Sequence, residues 1–454
     1  MRSLASLAFV PYLLVACSSP EDPPQRSAFD AKLDAIAARV AADDCSEGGR
    51  ALGKCVVEAK ALPFGAINIQ DASPETVMLI DDLPALSFDV IRYQNRVAGY
   101  YRWRADGTLD ESPYVMNAPK TLRDVLTELQ SPEFVPAERY VALAPALRAN
   151  YSSFDVNSLA HGMTTFDILV EHLPHHALVL VNAPLSSEST CDSVASPDGR
   201  ARLRTRYESY ASDIRDLIAK HNVHYLNYSG GIDVPAMKRN WNEAHCSGNV
   251  PSDEEFRSYL DAISPFYEAM FATKNVIATQ AANYDQFSAE DAPFDQAGPP
   301  YSGRVRVGAI ASVASGLDER GVAASYDFEK MRPSLGGADV YINSGIEDRR
   351  GKELGPMPSL RADVFGTTVF PALTGTSTSW AAPVALAHLI TLRESRHASE
   401  LFDDALIRKL TEELTPLECD GLPDRRCVFQ DPLLHGQVED LRLGYRPRVF
   451  TPLE

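Results

Sequence analysis

Positive charge is in short supply: 43 Lys and Arg stand against 62 Asp and Glu, a net charge of −19. That balance argues against nucleic acid and anionic membrane surfaces as partners. Long apolar runs are scarce too, and the N-terminal run Leu4–Val15 is too short to span a bilayer comfortably. No Cys-x-x-Cys and no Cys/His cluster with zinc spacing occurs, so nothing points to a zinc site. Internal repeats and low-complexity tracts are absent. So is a Gly-x-Ser-x-Gly elbow, which weighs against an α/β-hydrolase. What remains is a 454-residue chain, 45% apolar, with room for one large α/β domain plus extensions, or for two domains.

The N-terminus carries Arg2, the apolar run and then Leu14-Val-Ala-Cys17. This resembles a bacterial lipoprotein signal, with residues 1–17 as the leader and Cys17 as the lipidated residue. The resemblance implies an exported protein anchored in the cell envelope. Ser18 and Ser19 after Cys17 imply release to a Gram-negative outer membrane. Setting Cys17 aside leaves six cysteines, and an even number in an exported chain suggests disulfides. Sequence-local pairing (45–55, 191–246, 419–427) is the expectation among about 15 connectivities.

Residues 18–74 read as a Pro- and Glu-rich tether followed by a small Cys-bracketed region, with a helix over Phe29–Ala42 capped by Ser27. Beyond it, Glu75–Asp81, Ala177–Val181, Val223–Tyr228, Asn275–Gln280, Arg304–Ile310 and Ala338–Ile342 read as strands, as does Tyr140–Ala144. Helices are expected from Ala160 to Val170, Ala201 to Lys220 and Glu254 to Thr273. Helices alternating with short Val/Ile/Leu runs argue for a mostly parallel sheet with helices on both faces. The stretch at about 93–136, with a helix over Thr121–Gln130, reads as an insertion. Residues 395–454, with a helix near Phe402–Glu413, read as an extension.

One stretch carries chemistry. Leu373–His388 runs from a loop of small and hydroxyl residues through Ser379 into an alanine-rich helix, with Pro383 expected in its first turn. A serine at a helix N-terminus meets free N–H groups and a dipole that favour the oxyanion formed by attack on an amide. Read alone, the same serine serves equally as an N-cap. Ser379-Trp-Ala-Ala-Pro383 resembles the serine motif of subtilisin-like proteases, Gly-Thr-Ser-x-Ala-x-Pro. The spacing to Pro383 selects Ser379, with Ser377 as the fallback.

The resemblance extends over about residues 75–394. Val77-Met-Leu-Ile-Asp81 resembles the strand that delivers the family's triad aspartate, with Asp82 beside it as the alternative acid. His161-Gly162, opening a helix, resembles the histidine motif; His175 and His176 read as loop histidines. The order Asp81, His161, Ser379 is that of subtilisins. Leu226-Asn-Tyr-Ser-Gly-Gly231 resembles the strand that pairs with an extended substrate, implying substrate-binding roles for Asn227, Tyr228, Ser229 and Gly230, with Tyr228 lining the S1 pocket. Thr279-Gln-Ala-Ala-Asn283 resembles the segment whose asparagine donates to the oxyanion. Val305-Arg-Val-Gly-Ala309 resembles a further family strand.

The resemblance therefore implies a three-layer subtilisin-like α/β fold and a serine endopeptidase acting on peptide or protein through Asp81, His161 and Ser379. No cofactor is required; structural calcium is common in the family, but no loop here shows a convincing ligand spacing. The sequence departs from the pattern at Ser377, Asp82, Leu83, Met163, Thr164 and Ala282, and 80 residues separate Asp81 from His161. These departures motivate a second reading, a catalytically degenerate surface lipoprotein that binds or scaffolds. A sedolisin-type Ser-Glu-Asp peptidase fits less well, since it needs Glu and Asp on one helix in place of His161.

Overall fold

Short, continuous apolar runs belong to strands that are buried on both faces. The computed structural model describes residues 27–133, 135, 143–151, 154, 160–183, 190–283, 287–296, 301, 303–313, 338–347, 360–363, 366–369, 377–413, 417–418 and 426–430. In chain order the strands are β1 (Val57–Ala61), β2 (Thr76–Asp81), β3 (Val97–Trp103), β4 (Leu109–Asp110), β5 (Val115–Pro119), β6 (Ala177–Asn182) and β7 (Val223–Tyr228). Then come β8 (Ile277–Ala281), β9 (Arg304–Val313), β10 (Val340–Glu347), β11 (Leu360–Asp363), β12 (Gly366–Val369), β13 (Leu417–Glu418) and β14 (Arg426–Gln430).

Ten of them form one sheet in the order β13-β14-β10-β9-β8-β7-β2-β6-β3-β4. Every pairing from β14 to β3 is parallel, and only the two edge strands β13 and β4 run antiparallel. The helices are α1 (Ala28–Ala42), α2 (Glu47–Ala51), α3 (Asp89–Arg92), α4 (Lys120–Glu128), α5 (Ala144–Tyr151) and α6 (His161–His172). They continue with α7 (Thr190–Ala195), α8 (Pro197–Lys220), α9 (Val234–Glu243), α10 (Asp253–Phe271), α11 (Thr378–Arg396) and α12 (Asp404–Glu413).

The two-residue period of a strand divides the core. Val77, Leu79, Leu178 and Leu180 face the layer built by α6 and α11. Met78, Ile80, Val179 and Val181 face the opposite layer, built by α8 and α10. The expected three-layer α/β arrangement is the one observed, and β2, buried along its whole length, lies near its middle.

Four segments differ from their sequence reading. The stretch expected as an insertion supplies β3, which pairs in parallel with β6 inside the main sheet. The region before β2 packs onto the same core: Leu33, Ile36 and Val40 of α1 are buried there, and β1 pairs antiparallel with β5. At the far end β14 extends the sheet beside β10. The expected strand at Tyr140–Ala144 lies partly outside the described residues, and from Ala144 the chain is helical, with Pro145 tolerated in the first turn.

Ser27 caps α1 through a reciprocal box with Asp30, as its position before the apolar repeat suggests. Disulfides join Cys45 to Cys55 and Cys191 to Cys246, the two local pairings expected. The third pairing, the signal segment and Cys17 lie outside the described residues, since Cys419 and residues 1–26 do. Among the described residues no helix is long and apolar enough to cross a membrane.

If α1 belongs to the cooperative core, Ile36→Ala should lower unfolding stability by about 2–4 kcal/mol. Chemical denaturation reads this directly. A loss below about 0.5 kcal/mol, the level of a surface change, would mark α1 as a detachable tether.

Candidate active site

Ligand sites in parallel α/β sheets gather at the carboxyl ends of the strands. Here β2, β7 and β8 are neighbours, and the chain leaves them at Asp81, Tyr228 and Ala281. Those ends hold most of the residues that the sequence singled out.

Asp81 closes β2 and is buried, with 5% of its surface exposed. A buried carboxylate is costly unless its oxygens are satisfied. Its Oδ1 accepts from His161 Nδ1 at 2.6 Å and from the Asp82 backbone N–H at 2.6 Å. Its Oδ2 accepts from Thr165 Oγ1 at 3.0 Å. Asp82, the alternative acid, is exposed. Because a carboxylate only accepts, Nδ1 of His161 carries the proton and Nε2 is left as the acceptor.

His161 is the first residue of α6, and its placement depends on its neighbour. A Cβ on Gly162 would come within 2.6 Å of the Asp82 carbonyl oxygen and of Leu83. With no side chain there, the Gly162 N–H donates to that carbonyl at 3.2 Å, and the helix start settles against the end of β2. Burial alone would push the His161 imidazole down. The hydrogen bond and charge of Asp81, helped by the charge of Asp82, outweigh it and raise the imidazole above its ordinary value.

Ser379 is the second residue of α11 and is half-buried; Ser377 is the N-cap and uses no side-chain cap bond. The N–H groups of the first turn have no intrahelical acceptor, so the Ser379 N–H is available to an incoming oxyanion. Pro383 lies inside the helix rather than in its first turn. It has no N–H to donate to the carbonyl four residues back, which is that of Ser379. Ser229 Oγ fills that gap, donating to the Ser379 carbonyl at 2.8 Å.

Ser229 is itself held from below. Asn227 Nδ2 donates to Ser229 Oγ at 2.9 Å, and Thr279 Oγ1 donates to Asn227 Oδ1 at 3.0 Å. A chain of three hydrogen bonds thus ties β8 and β7 to the helix carrying Ser379. The Trp380 ring sits 4.9 Å from the His161 ring, centroid to centroid, which brings α6 and α11 together at this end of the sheet. Among the described residues no hydrogen bond joins His161 Nε2 to the Ser379 hydroxyl. Such contacts often close only around a substrate.

Asn283 lies two residues beyond β8. Its Nδ2 donates to Asp233 Oδ2 at 3.0 Å, and its backbone N–H donates to Asp295 Oδ2 at 3.1 Å. Asp295 is paired with the buried Arg306 at 2.8 Å. Burial pushes the Asp295 carboxyl up, and Arg306 only partly offsets it. One amide proton of Asn283 remains for another acceptor.

Of the four residues implied to bind substrate, Asn227 and Tyr228 turn their side chains inward. Tyr228 is 1% exposed, its hydroxyl is 3.2 Å from that of Tyr267, and its ring packs against Phe271. It therefore lines no pocket at the surface, against the expectation for the S1 pocket. His176 is buried beside Glu394 at 3.1 Å, whereas His175 is exposed. Thr165, Asp233 and Asp295 escaped the sequence reading. Only Thr165 left a signal there, standing one helical turn after His161. Among the described residues no group of three or more His, Cys, Asp or Glu could hold a metal ion.

No family model and no curated protein matches the sequence. Solved structures do align. A sedolisin from Pseudomonas, a serine-carboxyl proteinase complexed with two molecules of pseudo-iodotyrostatin, is 11% identical over 77% of this chain and 84% of its own, with a TM-score of 0.31. A lanthipeptide protease is 12% identical over 84% and 88%, with a TM-score of 0.34. The PatG macrocyclase in complex with peptide is 13% identical over 80% and 92%, with a TM-score of 0.36. At these scores the likenesses carry no part of the functional reading, which rests on the residues of this chain.

Proposed function

We propose that the chain is a subtilisin-like serine endopeptidase that hydrolyses peptide bonds through Asp81, His161 and Ser379. The observation that carries this reading is the Asp81–His161 pair: a buried carboxylate fixed by three donors, one of them an imidazole borne by the helix that meets that of Ser379 through Trp380, its Nε2 without a hydrogen bond among the described residues. In this reading His161 Nε2 takes the Ser379 proton as Oγ attacks the scissile carbonyl, and Asp81 stabilises the imidazolium. The Ser379 N–H and the remaining Asn283 amide proton receive the oxyanion. Collapse of the tetrahedral adduct breaks the C–N bond, and His161 returns its proton to the leaving amine. Water then attacks the acyl-enzyme by the reverse route.

The substrate strand would lie beside the main chain of Tyr228, Ser229 and Gly230. No cofactor enters any step. The leader and Cys17 support export and lipid anchoring in the cell envelope, at the outer membrane of a Gram-negative cell, with the enzyme facing peptide or protein substrates there.

Labelling by a fluorophosphonate probe tests the nucleophile. Residues 18–454, prepared in an oxidising compartment, should label, Ser377→Ala should label equally, and Ser379→Ala should not. A folded parent that stays unlabelled would move the reading to a binding or scaffolding lipoprotein. On a cleavable peptide, Ser379→Ala should lower kcat by roughly 10⁴–10⁶, and a loss under about tenfold would sink the assignment.

Asn283→Ala should lower kcat by about 10²–10³ with KM nearly unchanged, since the amide meets charge that develops only in the transition state. A pure rise in KM would assign Asn283 to ground-state binding instead.

The base must be neutral to accept a proton. Because the folded His161 value is raised, the acidic limb of kcat/KM should fall above about pH 6.5, the ordinary histidine value. Asp82→Asn removes one of the charges that raise it and should shift the limb downward. The same sign governs stability: the contribution of the imidazolium is full below about pH 6.5 and is lost as pH rises through the folded value. A limb at or below about pH 6, unmoved by Asp82→Asn, would contradict this assignment.

A further inference from the structure

The first turns of α11 are built from small buried residues, with Ala381, Ala382 and Ala385 all fully enclosed. Trp380 breaks that pattern. It is half-buried, and it belongs to neither of the two apolar layers of the core. Its ring meets His161 instead, with centroids 4.9 Å apart and planes inclined by 36°.

The two contacts on the imidazole are complementary. Asp81 grips the ring edge at Nδ1. A single hydrogen bond leaves the imidazole free to swing about that bond, and an aromatic face against it removes that freedom. We infer that Trp380 is a positioning residue for His161: its indole fixes the plane of the imidazole and favours the imidazolium that forms when the ring accepts the Ser379 proton.

The physical basis is the negative face of an indole, which attracts a cation within about 6 Å of its centroid more strongly than a neutral ring. Among the described residues, the charged groups acting on His161 are Asp81, at the end of β2, and Asp82 in the turn after it. From its own helix Thr165 donates to Asp81. From α11 the side chain against the imidazole is that of Trp380, which is uncharged. Trp380 thus lies against the imidazole while the Asp81 carboxylate holds its Nδ1 edge. The inference rests on the reading of His161 as the general base.

The test is an NMR titration of the His161 imidazole in the full chain carrying Ser379→Ala, which prevents self-digestion. Trp380→Leu should lower the His161 pKa by about half a unit, and Trp380→Phe by less. An unchanged value in a folded Trp380→Leu protein would overturn the inference. Should the leucine variant not fold, tryptophan emission gives a second reading on the parent. Its pH-dependent step should vanish both in Trp380→Phe and in His161→Gln, and a step that survives in His161→Gln overturns the inference equally. Neither titration needs turnover. A shifted titration, with a folded parent retaining Ser379 that takes no fluorophosphonate, would leave the Trp380–His161 coupling standing and remove the protease; labelling of that parent without a shift would do the reverse.

Discussion

A carboxylate buried at the end of a central strand sets the terms for everything around it. Desolvating such an anion costs several kcal/mol unless donors surround it. Asp81 meets that demand with one backbone N–H, one hydroxyl and one imidazole. Two of these come from α6, so the helix must approach the strand end closely. Gly162 is the residue that lets it, because any side chain there would collide with the Asp82 carbonyl and Leu83. The approach of His161 Nδ1 to the end of β2 is therefore a consequence of satisfying Asp81.

Ser379 depends on a second constraint, a missing donor. Pro383 deprives the Ser379 carbonyl of its helical partner, and the orphaned oxygen is met by Ser229. Hydrogen bonds in series polarise one another. The chain from Thr279 through Asn227 to Ser229 makes the position of α11 depend on the register of β7 and β8. The sheet is extended and covered by the elements that looked peripheral, with β3 on one side, β14 on the other and α1 packed into one layer. A loop could not keep two helix starts in register to the accuracy that the proposed proton transfer needs.

Much of this was legible in the sequence. The runs at Glu75–Asp81 and Val223–Tyr228 announce strands because apolar residues are bounded by turn formers, and they were placed to within a residue. The inward direction of Tyr228 was available from parity, since it shares a face with the buried Leu226. Strand β3 was not legible: Val-Ala-Gly-Tyr-Tyr-Arg-Trp mixes Gly, Arg and aromatics because it lies near the sheet edge, where burial is incomplete. Thr165 and Ser229 act through tertiary contacts across 84 and 150 residues of chain, which no local pattern encodes. Pro383 was placed a turn too early because a proline near a helix start usually occupies the first turn. Here its tolerance comes from the acceptor that Ser229 satisfies.

The surroundings of Asn283 raise an electrostatic question, because two carboxylates stand beside a group expected to receive an oxyanion. Negative charge near a developing anion opposes it unless each carboxylate is already compensated. Both are. Asp295 shares its oxygens with the Arg306 guanidinium and the Asn283 backbone N–H. Asp233 caps α9, accepting from the Ala236 N–H at 2.6 Å, so it faces the positive end of that helix. A carboxylate can meet only the NH₂ side of the amide, so Asp233 also settles which way Asn283 is turned, and Gly231 leaves room for the amide oxygen at the opposite side. The acids thus act as clamps whose charge is spent on their own partners. What projects beyond them is an N–H dipole held in one orientation, the form in which a donor stabilises new charge without reorganising.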